Sequence, residues 1–142
     1  MSFEILDIDY FKQYNDRYGH QAGDDCVRAI AALIRQMESD QIFCARYGGD
    51  EFVIIYSGMS AEEVCERAEK LRQDVMALQI EQRYTEGTFG VTISQGICHD
   101  IPSNGNKNWD FLHIADQTLY RAKRGGKNCL CMTDIHGREI EV

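Results

Sequence analysis

The sequence predicts an α+β fold: a mixed, mainly antiparallel central sheet flanked by helices that pack on one side of it. Three observations carry this. Segments run in the order strand, helix, hairpin, helix, strand, helix, strand; a Gly48-Gly49 pair separates two β-branched and aromatic runs; and apolar residues alternate with small or polar ones from Thr88 to Ile97. At 142 residues the chain is one domain, long enough to bury a core without disulfides or a structural metal.

Phe3 to Ile8 reads as a short buried strand ending in carboxylates, Asp7 and Asp9. Lys12 and Asn15, three apart, share a face of a helix after that strand. From Gly23 to about Met37, Val27, Ile30, Ala31 and Ile34 fall at i, i+3, i+4 and i+7, the apolar face of a helix. Ile42–Tyr47 and Phe52–Tyr56 flank Gly48, Gly49, Asp50 and Glu51 as the arms of a hairpin. Ser60 and Glu63 make a capping box, and Val64, Ala68, Leu71, Val75 and Leu78 mark the buried side of the next helix. Between Thr88 and Ile97, Phe89, Val91, Ile93 and Ile97 fall on one face and Gly90, Thr92, Ser94 and Gly96 on the other, which predicts a single strand. Gln95 interrupts its apolar face without an evident reason. Asp100 to Asn108 reads as a loop before a helix carrying Leu112, Ala115, Leu119 and Ala122, which Gly125 and Gly126 end. A last strand is expected near Asn128 to Met132, then a polar, mobile tail.

A net charge of -8 repels nucleic-acid phosphates, so no nucleic-acid partner is expected. A small anion remains possible where a metal ion and two or three lysines neutralise it locally. No apolar run approaches the roughly 20 residues of a membrane helix and no secretory leader opens the chain. No membrane contact by this domain is therefore expected, and the expected location is cytoplasmic. Cys26, Cys44, Cys65, Cys98, Cys129 and Cys131 form no zinc-type pair and are expected to be buried, reduced thiols.

Three clusters carry the chemistry: Asp7-Ile-Asp-Tyr-Phe-Lys-Gln-Tyr-Asn-Asp16 with Gly19-His-Gln-Ala-Gly-Asp24; Arg46-Tyr-Gly-Gly-Asp-Glu-Phe52; and Ala115-Asp116 with Tyr120-Arg-Ala-Lys-Arg-Gly-Gly-Lys-Asn128. A strand-end Asp7 and a hairpin-tip Asp50 converge if their strands are neighbours, offering hard oxygen ligands to Mg²⁺ or Mn²⁺. Gly48 and Gly49 let the backbone approach a phosphate chain, although a plain hairpin with a solvated acidic tip has the same pattern. Asp24 alone is also consistent with a carboxylate facing a helix dipole. Lys123 and Lys127, four apart at a helix end, can face one anion or complement the dipole there.

In order and internal spacing these clusters resemble the GGDEF domain of diguanylate cyclases, over nearly the whole chain. The resemblance implies the palm-like (ferredoxin-like) fold of nucleotidyl cyclases and polymerases. It also implies condensation of two GTP into cyclic di-GMP with release of two pyrophosphates, in a homodimer whose domains face each other, with Mg²⁺ or Mn²⁺. On that resemblance Asp7, the carbonyl of Ile8 and Asp50 hold the metals. Asp50 and Glu51 are the catalytic candidates, Asp50 assisting deprotonation of the attacking 3′-hydroxyl. Lys12, Lys123 and Lys127 meet phosphates, Gly48 and Gly49 line the substrate, and Asn15 and Asp24 contact guanine. Guanine offers N1–H and N2–H₂ side by side to a carboxylate, and adenine has no such pair.

There are departures. Asp50 stands where some members have glutamate, and Lys127 where arginine is more frequent, so a point charge replaces a bidentate fork. Ser39 and Ile42 occupy the positions of an R-x-x-D inhibitory motif, and no inhibitory product site is expected. The family's D-x-L-T-G-L-x-N-R helical segment does not precede the first strand, so residues 1–142 are expected to form a single catalytic domain lacking it. The alternative is a non-catalytic GTP-binding regulatory or partner-binding module, but its usual mark, a degraded signature, is missing here. His20 is expected to order a loop, and the role of Asp116 is open.

Overall fold

Ser2 to Ile8 form β1, and every residue in it except the half-buried Phe3 is buried. A strand buried on both faces belongs at the centre of a sheet. In the computed structural model, which describes residues 1–84, 87–100 and 108–141, β1 is followed by α1 (Phe11–Tyr18), α2 (His20–Arg35), β2 (Ile42–Arg46), β3 (Glu51–Tyr56) and α3 (Ala61–Ala77). Then come β4 (Glu81–Tyr84), β5 (Gly87–Gly90), β6 (Ile93–His99), α4 (Asn108–Arg124) and β7 (Leu130–Thr133). The main sheet has the order β2-β3-β1-β6-β7, antiparallel except for the β6–β7 pair. The expected mixed, mainly antiparallel sheet is what forms.

The helices cover both faces of that sheet, not one. Leu6, Ile8, Phe52, Ile54 and Ile97 pack with Ile30 and Ile34 of α2 and Val64, Ala68 and Leu71 of α3. On the other face Ile5 and Cys98 pack with Phe111, Ala115 and Leu119 of α4. Residues alternate sides along a strand, so apolar residues at both Ile5 and Leu6 require cover on both sides. The α4 contact depends on Gly96, where an added Cβ would lie 2.1 Å from the Leu119 nitrogen and 2.5 Å from the Ala115 oxygen. Gln95, on the opposite face of β6, donates its amide to the Ala68 carbonyl at 3.1 Å and so ties α3 to the sheet.

The alternation from Thr88 to Ile97 spans two strands in two sheets: β5 pairs with β4 in a separate hairpin, and β6 begins only at Ile93. The period continues across the break at Val91 and Thr92, so it conceals the break. α2 starts at His20, earlier than the apolar pattern shows, and α1 is separated from it by Gly19 at φ 91°, a conformation that favours glycine. The capping box at Ser60 and Glu63 forms as expected. The proposed loop lies largely at 101–107, outside the described residues. The tail folds back: Asp134 accepts from the His136 and Arg138 amides at 2.8 and 3.0 Å, and Arg121 donates to the Gly137 carbonyl at 2.8 Å. All six cysteines are free thiols; Cys26 and Cys98 are buried and the other four only half-buried.

An acidic side chain sits among these apolar residues. Glu4 is fully buried, its Oε1 accepting from the Tyr56 hydroxyl at 2.6 Å and its Oε2 having no partner. Burial pushes its carboxyl up from 4.5 to about 7, the Tyr56 hydrogen bond opposing this. The folded state thus holds the proton more tightly than the unfolded chain, and stability falls as pH rises between those two values. The loss is about 3 kcal/mol. Glu4→Gln keeps an acceptor for Tyr56 without the ionisation. Urea unfolding at pH 5 and pH 8 is expected to show a clear loss of stability in the parent and a smaller one in the variant, where Asp7, raised to about 6, still titrates; an equal loss in both would show that Glu4 does not titrate in this range.

Candidate active site

β1 and β3 pair with Asp7 opposite Glu51, and the Ile8 amide donates to the Asp50 carbonyl at 3.2 Å. The strand-end carboxylate and the hairpin tip therefore meet at one end of the sheet. Arg46 holds the tip from within: its Nε donates to the Gly48 carbonyl at 3.0 Å and its Nη2 to the Gly49 carbonyl at 2.6 Å. The amides of Tyr47 and Gly48 close the turn on the Glu51 carbonyl at 2.8 and 3.2 Å. Gly48 and Gly49 are exposed, and Glu51 is half-buried beneath them, its Oε1 within 3.9 Å of where a Gly48 Cβ would be. Arg46 is a bracing residue that the sequence pattern marked only as part of a signature.

Asp7 is 6% exposed; its Oδ2 is paired with Lys123 of α4, and its Oδ1 has no partner. Burial raises its carboxyl to about 6; the Lys123 ammonium opposes this, while the nearby Asp50 and Asp9 charges add to it. A buried, unsatisfied carboxylate oxygen beside a second carboxylate is a fitting place for a divalent cation, which would supply the missing partner and relieve the repulsion. Among the described residues no three His, Cys, Asp or Glu side chains gather as a metal cage. Two carboxylates suit a hard ion such as Mg²⁺, which completes its shell with water and phosphate oxygens.

Lys123 lies in the last turn of α4, but Lys127 is not on that helix. α4 ends at Arg124, and Gly125 and Gly126 lead to Lys127 and Asn128, both left-handed at φ 63° and 48°. The two lysines are thus not an i,i+4 pair, because the glycines end the helix before the second one. The Lys127 ammonium instead stands 4.6 Å from the centre of the Tyr10 ring, at the N-terminal end of α1.

The residues expected at the base converge on the α1–α2 corner. Asn15 is half-buried on α1, and its amide lies so close to α2 that a Cβ on Gly23 would fall 1.7 Å from Asn15 Oδ1. That oxygen is buried without a partner. Asp24 follows on α2 and is exposed, as is Lys12 in the first turn of α1. Asp24 sits in the second turn of α2, not at its start. Ser39 and Ile42 lie apart from all of this: the Ser39 hydroxyl accepts from the Gln41 amide at 3.1 Å, and Ile42 is in the core, 4% exposed.

The chain matches the family described as diguanylate cyclase, GGDEF domain, over residues 1–129. It is 36% identical over 129 residues to diguanylate cyclase VdcA of Vibrio cholerae, covering 90% of this chain and 38% of that protein. It is 35% identical over 130 residues to the uncharacterized protein YhcK of Bacillus subtilis, covering 91% and 35%. The chain thus spans well under half the length of these relatives. Among solved structures, the GGDEF domain of DgcB from Caulobacter crescentus, in complex with c-di-GMP, superposes with a TM-score of 0.82 at 34% identity, covering 95% of this chain and 77% of that one. The active GGEEF domain of a diguanylate cyclase from Vibrio cholerae does so at 0.76 and 33%, covering 92% and 81%.

Proposed function

Because the chain belongs to the GGDEF domain family, we propose that it binds GTP and, paired with a second copy, condenses two GTP into cyclic di-GMP with release of two pyrophosphates. The observation that carries this reading is the meeting of Asp7, Asp50 and Lys123 at one sheet end, with an unsatisfied buried oxygen on Asp7. Asp7, the carbonyl of Ile8 and Asp50 would hold Mg²⁺ or Mn²⁺. Bound there, the metal would neutralise phosphate charge and stabilise the attacking and leaving oxygens.

Lys123 and Lys127 would draw the triphosphate to this end of the sheet, with Lys12 on the same anion. Gly48 and Gly49, with no side chains and their carbonyls turned back onto Arg46, leave room for the phosphates at the tip. Asp50 would take up the proton of the 3′-hydroxyl, with Glu51 beside it in the hairpin. The Asn15 side-chain amide and the Asp24 carboxylate would face the edge of guanine, the carboxylate accepting from its N1–H and N2–H₂. Incubating the chain at high concentration with GTP and Mn²⁺ tests the proposal: cyclic di-GMP is expected, and tight GTP binding without product would leave a regulatory GTP-binding module instead.

Asp24→Ala is expected to weaken GTP by about tenfold or more, the cost of losing a charged acceptor, and ATP hardly at all. Calorimetry with both nucleotides checks this, and equal losses would remove Asp24 from the base pocket. Cyclic di-GMP titrated without GTP is expected to show no binding at about 1 μM. Ile42 faces the core where a carboxylate would be needed, and Ser39 is committed to its own turn. Micromolar binding lost on mutating Ser39, Asp40 and Ile42 together would refute this.

A further inference from the structure

Asp9 follows Asp7 by two residues, yet its carboxylate is fully engaged within the protein. It is 2% exposed; Oδ1 accepts from the Ser94 hydroxyl at 2.6 Å, and Oδ2 from the Thr92 hydroxyl at 2.7 Å and the Asn128 amide at 3.0 Å. Asn128 is also held from the other side. Arg72 of α3 donates from Nη1 to Asn128 Oδ1 at 2.9 Å and to its carbonyl at 3.4 Å. Arg72 is itself aimed by Glu69 through a two-pronged pair, Nε to Oε2 at 2.9 Å and Nη2 to Oε1 at 2.5 Å.

What these contacts hold is a conformation the chain would not keep unaided. Lys127 and Asn128 are consecutive non-glycine residues at positive φ, a state that costs on the order of 1 kcal/mol or more per residue and persists only where the surroundings impose it. Lys127 has one backbone tie, its amide to the Ala122 carbonyl at 3.1 Å. The stronger restraints act one residue later, on Asn128.

We propose that Asp9 and Arg72 are positioning residues that clamp Asn128 from β1 and from α3, and so set the Lys127 ammonium where it meets the triphosphate. The inference rests on the GTP reading of the site. Neither residue touches the substrate; each acts through the backbone of the loop. The clamp separates two aspartates that the sequence presents as a pair, one left open for a cation and the other closed off as structure. It also makes α3, which bears none of the candidate substrate residues, part of the phosphate grip.

The test is GTP and GMP binding by calorimetry with Mg²⁺, because GMP lacks the phosphates that Lys127 would meet. Asp9→Asn leaves a buried donor without an acceptor, so its fold is checked by thermal melting. Arg72→Lys, on a partly exposed helix face, carries the test, keeping the charge beside Glu69 but losing the fork that spans Glu69 and Asn128. Arg72→Lys is expected to weaken GTP roughly tenfold, the scale of lost supporting contacts, while GMP changes less than about twofold. GTP affinity at the parent level, or equal weakening of both nucleotides, would overturn the clamp while leaving the function standing. Failure of the unaltered chain to bind GTP would overturn the functional reading, and this inference with it.

Discussion

Replacing Asp50 by alanine is expected to lower cyclic di-GMP formation by at least about a thousandfold, the scale of several kcal/mol that a catalytic metal site contributes, while the fold survives. Asp50 is half-buried at a hairpin tip, outside the core, and its backbone carbonyl accepts from the Ile8 amide. Alanine keeps that bond. The substitution also removes one of the charges that push the Asp7 carboxyl up, so thermal melting is expected to stay level or rise slightly. Product formation by chromatography, beside a melting curve, separates chemistry from folding. Activity within a few-fold of the parent would take Asp50 out of the reaction.

Holding two copies together is expected to raise turnover at low protein concentration by roughly a hundredfold or more, because a second-order encounter becomes an intramolecular one. On the proposed reading one site would hold one GTP, and the reaction would join two. The untethered chain should therefore show a rate per molecule that climbs with its own concentration. A fused coiled coil with a flexible linker should remove most of that dependence. A rate per molecule already constant at nanomolar dilution would mean that assembly is not limiting.

Much of the site was legible because its chemistry is local. Asp7 at a strand end and Asp50 directly after two glycines could be placed before any strand pairing was known, and only their convergence needed the β1–β3 register. The positions that escaped sequence reasoning depend on distant partners. Gln95 looked like an error in an apolar face until the Ala68 carbonyl, 27 residues away, appeared opposite it. Gly96 looked like a small residue on a polar face, yet the α4 backbone packs onto it with no room for a Cβ. The Thr88–Ile97 alternation failed as one strand because a period of two records which way side chains point, not which strand lies alongside. Lys123 and Lys127 are four apart in sequence, but the glycines that end the helix stand between them, so the place of Lys127 depends on its loop and not on helical spacing. Cover on both faces could have been anticipated from Ile5 and Leu6, adjacent apolar residues in one strand.

The central place of β1 has a consequence for how the chain is made. Its partner on one side, β6, pairs Ser2 with His99, and the first residue's amino group reaches the Asp100 carbonyl. During synthesis β1 emerges some ninety residues before β6 exists, a wait of about 5–20 s at ordinary translation rates. Until then one edge of a strand with almost no exposed residue has no neighbour, and chaperones or other nascent chains can reach it. Pairings this far apart also slow refolding from denaturant, since the loop must close before the contact forms. Fragments ending before residue 93 lack β6 altogether, and their expected behaviour is aggregation through the open edge of β1.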